Sequence, residues 1–275
     1  MHRRRFLTLL AGVGSAVTLP LRAARAATPM SGDFEQGGMV IGRTHPGAVA
    51  KLDGKALSVS PDGYFVFGFG RDQGPNAALT ISYGGEETSE PLAIVQRTYK
   101  IQRINGLPGD KVTPPDDAAA RIAADIEAIK AARSFDTPES WYLGGFQWPV
   151  TGRISGVYGS QRILNGEPRQ PHFGVDIARG EGEPIHAPQK GIVRLAQHDM
   201  YFTGGTTVLD HGQGITTSYL HQSRLDVAVG DTVEAGQVIG LIGKTGRATG
   251  PHLCWRMNWF QERLDPQLAA PEMPG

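Results

Sequence analysis

The chain has 275 residues, 40% of them hydrophobic, which is enough for two ordinary domains with real cores. Its formal charge of zero is unevenly spread: Arg3, Arg4, Arg5, Arg22 and Arg25 fall in the first 26 residues with no acid among them, leaving 22 basic against 27 acidic residues in the rest. That acidic body gives no electrostatic basis for nucleic-acid binding, and a lone cysteine, Cys254, excludes an internal disulfide.

Residues 1–26 read as a secretion signal. A basic start precedes an apolar stretch from Phe6 to Leu21, and Ala24-Arg25-Ala26 is a small-x-small cleavage site. The apolar run is broken by Thr8, Gly12, Gly14, Ser15, Thr18 and Pro20 and is short for a membrane span, which favours cleavage over anchoring. No integral membrane segment is expected in the mature chain. Arg3-Arg4-Arg5-Phe6-Leu7 resembles the twin-arginine signal. That resemblance implies export of an already folded protein to the periplasm or cell envelope, with any metal loaded beforehand.

Residues 28–105 alternate short apolar runs with turn signals. Asp53-Gly54 and Asp62-Gly63 punctuate β-rich segments such as Tyr64 to Phe69 and Ala78 to Tyr83, a spacing that predicts a small antiparallel β-sandwich. No reactive side chains converge there, so its expected role is support or substrate positioning. Residues 106–145 are expected to form a linker. Within it, Thr113-Pro114-Pro115-Asp116 signals a helix start. Ile122, Ile126 and Ile129 then make one apolar stripe, predicting a helix over about 115–133 that docks by that stripe. From residue 146 to 266 short strands again alternate with Gly-rich turns, and the mainly β reading extends to an antiparallel C-terminal domain, followed by a tail at 267–275.

Chemistry concentrates in that second domain. His172 and Asp176 are four apart, which in an extended segment sets both on one side; Gly174, Val175 and Ile177 favour that conformation. His252 and Cys254 are two apart, so a strand would point both one way and turn Leu253 and Trp255 away. Each pair alone is a weak signal, since a buried cysteine is usually a small apolar filler. Lys244-Thr245 does not complete a phosphate loop, because Val238 stands where that motif needs glycine. His211, between Asp210 and Gly212, belongs to a turn, and Trp141, Trp148, Trp255 and Trp259 suit core or groove wall.

Three ordered segments carry a family resemblance. Gly243-Lys244-Thr245-Gly246-Arg247-Ala248-Thr249-Gly250-Pro251-His252-Leu253-Cys254 follows Gly-x-Thr-Gly-x-Ser/Thr-Thr-Gly-x-His-Leu/Val-His except at Ala248 and Cys254. Tyr219-Leu220-His221-Gln222 matches Tyr-x-His-Leu except at Gln222, and His172 with Asp176 follows Gly156-Val157-Tyr158-Gly159. Over roughly residues 148 to 262 the chain resembles the lysostaphin/LytM-type zinc peptidases of family M23, with Cys254 in place of the second histidine of His-x-His. The resemblance implies an antiparallel β fold of barrel-sandwich-like, duplicated-hybrid type. It further implies one zinc ion per chain held by His172, Asp176 and Cys254, with His221 and His252 unligated as the catalytic proton carriers. The implied activity is that of an exported zinc metalloendopeptidase cutting peptide cross-links of peptidoglycan in cell-wall remodelling.

Cysteine is a legitimate zinc ligand. Its thiolate adds a negative charge that imidazole lacks, lowering the formal site charge from +1 to zero, and so weakens the Lewis acid. Three outcomes follow: an active enzyme with a Cys ligand, a metal-binding but inactive binder, and a metal-free degenerate site. Retention of both His221 and His252 favours the first, because proton carriers have no use in a scaffold. The rival reading is an inactive LytM-type regulator that binds the wall or activates another wall hydrolase. A carrier-domain reading rests on Val-x-x-Gly-Asp-x-Val-x-x-Gly at 227–236, and it lacks the exposed hairpin lysine such domains need.

Overall fold

The computed structural model describes residues 27–107 and 109–274. Residues 1–26, which the sequence suggests are a secretion signal, lie outside them. Among the described residues no helix is long and apolar enough to cross a membrane. The protein is mainly β, as its turn-rich sequence predicts.

In the first part of the chain, β1 (Met30–Gly32), β2 (Met39–Arg43) and β5 (Tyr64–Gly68) form one antiparallel sheet. A second holds β3 (Val49–Leu52), β4 (Lys55–Leu57), β6 (Asn76–Tyr83) and β7 (Glu86–Ala93) in the order β4-β3-β6-β7. Asp53 and Gly54 join β3 to β4 with φ of 47° and 81°, the left-handed pair that a two-residue hairpin turn demands. Strand β6 alternates as its sequence does, burying Ala77, Leu79 and Ile81. Phe65, Phe67 and Phe69 are fully buried, each worth about 1.5–3 kcal/mol of apolar transfer. Their core is not confined to these two sheets, for it continues into Ile215, Met257, Trp259 and Leu264 of the C-terminal half. Arg97 crosses the same boundary to Asp265 at 2.9 Å.

Strand β8 (Ile101–Ile104) and the short α1 (Gly109–Val112) lead into helix α2 (Ala119–Ala132). A 3-10 turn at Asp116–Ala118 precedes α2, and Pro115 stands at its start with no side-chain cap, so the Thr113 capping signal is not used there. Nor does the isoleucine stripe dock as a whole. Ile129 packs with Ala132 against Leu195, Met200 and Val208, whereas Ile126 is 56% exposed.

The C-terminal half contributes β9 (Arg153–Gly156), β10 (Gln161–Leu164), β11 (Glu167–Pro168), β12 (Val175–Ala178) and β13 (Pro184–His186). The long strands β14 (Gly191–Met200), β15 (Gly204–Asp210) and β16 (Ile215–Gln222) follow. After them come β17 (Arg224–Leu225), β18 (Thr232–Val233), β19 (Val238–Leu241), β20 (His252–Trp259) and β21 (Glu262–Leu264), then α3 (Pro266–Ala269). The main sheet runs β18-β14-β15-β16-β20-β12-β9, with β21 on β20, and all its pairings are antiparallel. One pairing departs from the antiparallel expectation: β10 joins β8 in parallel, tying the end of the first β segment to the C-terminal half. Strands β15 and β16 are buried along their whole lengths, on both faces of the sheet.

Candidate metal centre

Register in the central sheet assembles the site. Asp176 on β12 stands opposite Cys254 on β20, and Cys254 stands opposite Leu220 on β16, one residue before His221. Leu253 and Trp255 turn into the core, which leaves the Cys254 side chain on the other face. His172 arrives differently from the extended reading of the sequence. It lies in the loop ahead of β12, and its backbone N–H donates to the Ser160 carbonyl at 2.8 Å.

These placements bring the three sequence-predicted ligands together. His172 Nε2 is 3.3 Å from Cys254 Sγ and 3.0 Å from Asp176 Oδ1. Among the described residues, His172, Asp176 and Cys254 are the group whose donor atoms all lie within 4.8 Å of one another, and all three are buried. Asp176 Oδ1 is buried without a hydrogen-bond partner despite its close neighbours. An orphaned carboxylate oxygen of this kind is costly unless a further group completes it. Close approach of the backbone is also built in: a Cβ on Gly156 would collide with Asp176 Oδ2.

The electrostatics keep the oxygen and nitrogen donors in forms that can ligate. Burial lowers the His172 pKa, holding its ring neutral. Burial opposes ionisation of Asp176. Its carboxyl is nevertheless held well below the usual range, with the Arg162 guanidinium 2.7 Å from Oδ2. Cys254 is the exception, since burial and then the Asp176 charge push its thiol up to about 12. Any cation must therefore displace a thiol proton to gain this ligand.

His221 and His252 stand beside the cluster with ring centroids 4.7 Å apart. Each has its Nδ1 fixed by a backbone carbonyl at 2.8 Å, Thr245 for His221 and Gly250 for His252. With Nδ1–H donating, Nε2 on each ring carries the free lone pair. The His252 Nε2 lies 3.8 Å from Asp176 Oδ1. Burial, then His252, lowers the His221 pKa to about 3. His221 has φ of 67°, a left-handed conformation costing about 1–2 kcal/mol for a residue with a Cβ. Strain held by surrounding structure is a mark of functional positions. A cavity of about 260 Å³ opens onto Asp176, His221 and His252.

Three contributors are not evident from the sequence: Arg162 and the carbonyls of Thr245 and Gly250. Arg162 on β10 reaches Asp176 on β12 although the two strands belong to different sheets, and no spacing in the sequence ties the two residues. The Thr245 and Gly250 carbonyls were visible as part of a loop motif but not as the groups that fix histidine tautomers. An isolated bridge between Gly243 and His252 closes that loop and brings both carbonyls to the rings.

Similarity to known proteins follows the same segment. The signature described as Peptidase family M23 matches residues 170–266. The peptidoglycan DD-endopeptidase ShyA of Vibrio cholerae is 39% identical over 106 residues, covering 38% of this chain and 24% of that protein. The DD-carboxypeptidase/endopeptidase Mpg of Neisseria meningitidis is 33% identical over 103 residues, again 38% of this chain and 24% of that protein. The chain thus spans about a quarter of the length of these curated relatives. A crystal structure of a putative peptidase M23 from Pseudomonas aeruginosa superimposes with a TM-score of 0.65 at 27% identity, over 85% of this chain and 93% of that one.

Proposed function

Because residues 170–266 carry a Peptidase family M23 domain, we propose that the chain is an exported zinc endopeptidase hydrolysing peptide bonds in peptidoglycan cross-links. His172, Asp176 and Cys254 would hold one zinc ion per chain. The observation that carries this reading is the buried, partnerless Asp176 Oδ1 facing a neutral imidazole and a cysteine sulfur within ligand range. Nitrogen, carboxylate and thiolate are the donors zinc takes, and three of them leave the open position that catalytic sites keep. When bound, zinc supplies Lewis-acid polarisation of the scissile carbonyl and acidifies the attacking water.

The chain's own residues would do the rest. Nε2 of His221 and Nε2 of His252 are free to accept a proton, because each Nδ1–H is committed to a carbonyl. Arg162 keeps Asp176 ionised and oriented. Export is proposed from the basic, twin-arginine-like start and the small-x-small site ending at Ala26.

The test pairs two measurements on protein purified without chelator: zinc content, and release of soluble fragments from purified sacculi. Stoichiometric zinc with fragment release is expected. Zinc without release, across pH of about 6 to about 9, would sink the enzyme reading and leave the regulator, whose own signature is acceleration of a second wall hydrolase.

A further inference from the structure

A second cavity, of about 690 Å³, lies between helix α2 and the sheet, with His172 and Phe173 among its lining residues. It adjoins the cleft at the candidate metal centre, and Arg162, Leu164 and Arg247 line both. Its charge is one-sided. Arg133, Arg162, Arg169, Arg247, Arg256 and Arg263 line it together with Lys130, against one lining carboxylate, Asp125.

Most of these cations have identifiable work. Arg162 serves Asp176, and Arg169 donates to the Val112 carbonyl and to Thr113 Oγ1. Arg247 lies over the Phe202 ring at 4.5 Å and Arg263 over Phe173 at 5.4 Å. Arg133 and Arg256 are different, because the Nε of each is buried without a hydrogen-bond partner. Arg133 is only 3% exposed. Burial, then the charges of Arg263 and Arg256, depress its proton affinity well below normal. A guanidinium rarely escapes such a position by losing its proton. A buried cation among like charges is instead relieved by an anion that fills its free donors.

The apolar residues of α2 narrow the kind of anion. Ile122, Ile126 and Ile129 of α2 line the same cavity, and Ile126 presents more than half of its surface. This is the stripe that docks only in part, through Ile129. An apolar stripe that runs one turn ahead of Arg133 on the same helix, within a cavity lined by guanidiniums, fits a planar carboxylate carried on a short aliphatic stem, since carboxylates take guanidinium donors in pairs.

We propose that this cavity is a specificity subsite that binds a carboxylate of the peptide substrate through Arg133 and its neighbouring arginines, with the aliphatic stem against the α2 isoleucines. It rests on the peptidase reading above for its substrate. A chain-terminal and a side-chain carboxylate share this chemistry, and the experiment separates them.

Binding is measured by calorimetry on the zinc-loaded full chain carrying His221→Ala, which slows turnover. The probes are cross-linked muropeptides with all carboxylates free, with only terminal ones amidated, with only side-chain ones amidated, and with all amidated. The fully acidic form is expected to bind roughly 10- to 100-fold tighter than the fully amidated form, the worth of a charge-assisted hydrogen bond. Whichever single amidation reproduces the loss identifies the source. Arg133→Met should erase the acid preference while leaving affinity for the amidated form in place. Arg263→Met serves the same purpose if circular dichroism shows the first variant unfolded. Equal affinity for acidic and amidated forms, or an acid preference that survives both arginine variants, overturns the subsite. Cleavage by the wild type separates the two readings: acid-selective binding without cleavage sinks the peptidase alone, and cleavage without acid selectivity sinks the subsite alone.

Discussion

Acidification from about pH 6.5 to about pH 4 should cost the fold about 3 kcal/mol through one residue, His211. This ring is completely buried in the turn between β15 and β16. Nδ1–H donates to the Lys190 carbonyl at 2.7 Å, and Nε2 accepts from Thr217 Oγ1 at 2.7 Å, whose own partner is the Tyr219 hydroxyl. Protonating Nε2 would turn this acceptor into a donor facing a hydroxyl already oriented toward it. Burial accordingly pushes the ring down to about 4, against about 6.5 in the unfolded chain. Between those values the unfolded state binds the proton and the native state does not. The stabilisation is therefore complete above pH of about 6.5 and is lost as pH falls through about 4. The gap, at about 1.4 kcal/mol per tenfold change in proton affinity, gives about 3 kcal/mol. Urea unfolding of the wild type and of His211→Gln, at several values between pH of about 7 and about 4.5, isolates the effect, because other buried histidines contribute equally to both. The wild-type advantage should shrink steadily with acidification. Parallel profiles, or a His211 ring titrating near 6.5 in the native protein by NMR, would refute the reasoning.

Cys254→Ser should lose zinc and Cys254→His should retain it, as read by metal analysis after gel filtration; equal stoichiometric zinc in wild type and Cys254→Ser would remove Cys254 from the ligand set. His221→Ala should keep zinc and fold but slow peptide cleavage by roughly 10²–10⁴-fold, the worth of a positioned acid or base, and an unchanged rate would deny it that role. Gly156→Ala should weaken zinc binding by displacing the Asp176 carboxylate, measured by competition with a chromogenic chelator, and wild-type affinity would show that the strand yields instead. Joint Arg3→Lys and Arg4→Lys should retain precursor in the cytoplasm on immunoblots of cell fractions, and normal export would point to the unfolded-chain route.

How much of this was legible in the sequence depended on whether the governing force was local. The Asp53-Gly54 hairpin and the alternation in β6 follow from backbone sterics and one-sided burial, which any short window displays. Strands β15 and β16 give no such alternation. They are covered on both faces, and their threonines Thr206, Thr207, Thr216 and Thr217 are all buried in spite of polar side chains. The ligand group was legible through motifs and spacing, and its assembly needed only the register of β12, β16 and β20. Arg162 was invisible because its contact with Asp176 joins strands of two different sheets, which no local pattern displays. The isoleucine stripe misled for a related reason: periodicity predicts an apolar face, and only the tertiary fold decides whether that face meets protein or an open cavity.

The same arginines bear on the exchange of histidine for cysteine. In the proposed site a thiolate in place of an imidazole removes one unit of positive charge, which by itself would make the centre a poorer acid. The surrounding charges work the other way. Arg162 sits on Asp176, and the Arg256 and Arg162 charges both act to lower the Cys254 pKa against the larger effect of burial. Arg256 is two residues beyond Cys254 on β20, so the two side chains emerge on the same face of that strand. A neutral-imidazole site would place these guanidiniums beside a centre that already carries a net positive charge, where they would repel the ion. Beside a thiolate and a carboxylate they are charge-compensated. Cys254 and the arginine-rich surroundings are therefore best understood as one electrostatic unit, and restoring histidine at position 254 without altering Arg162 or Arg256 should bind zinc more weakly than the charge of the three ligands alone would suggest.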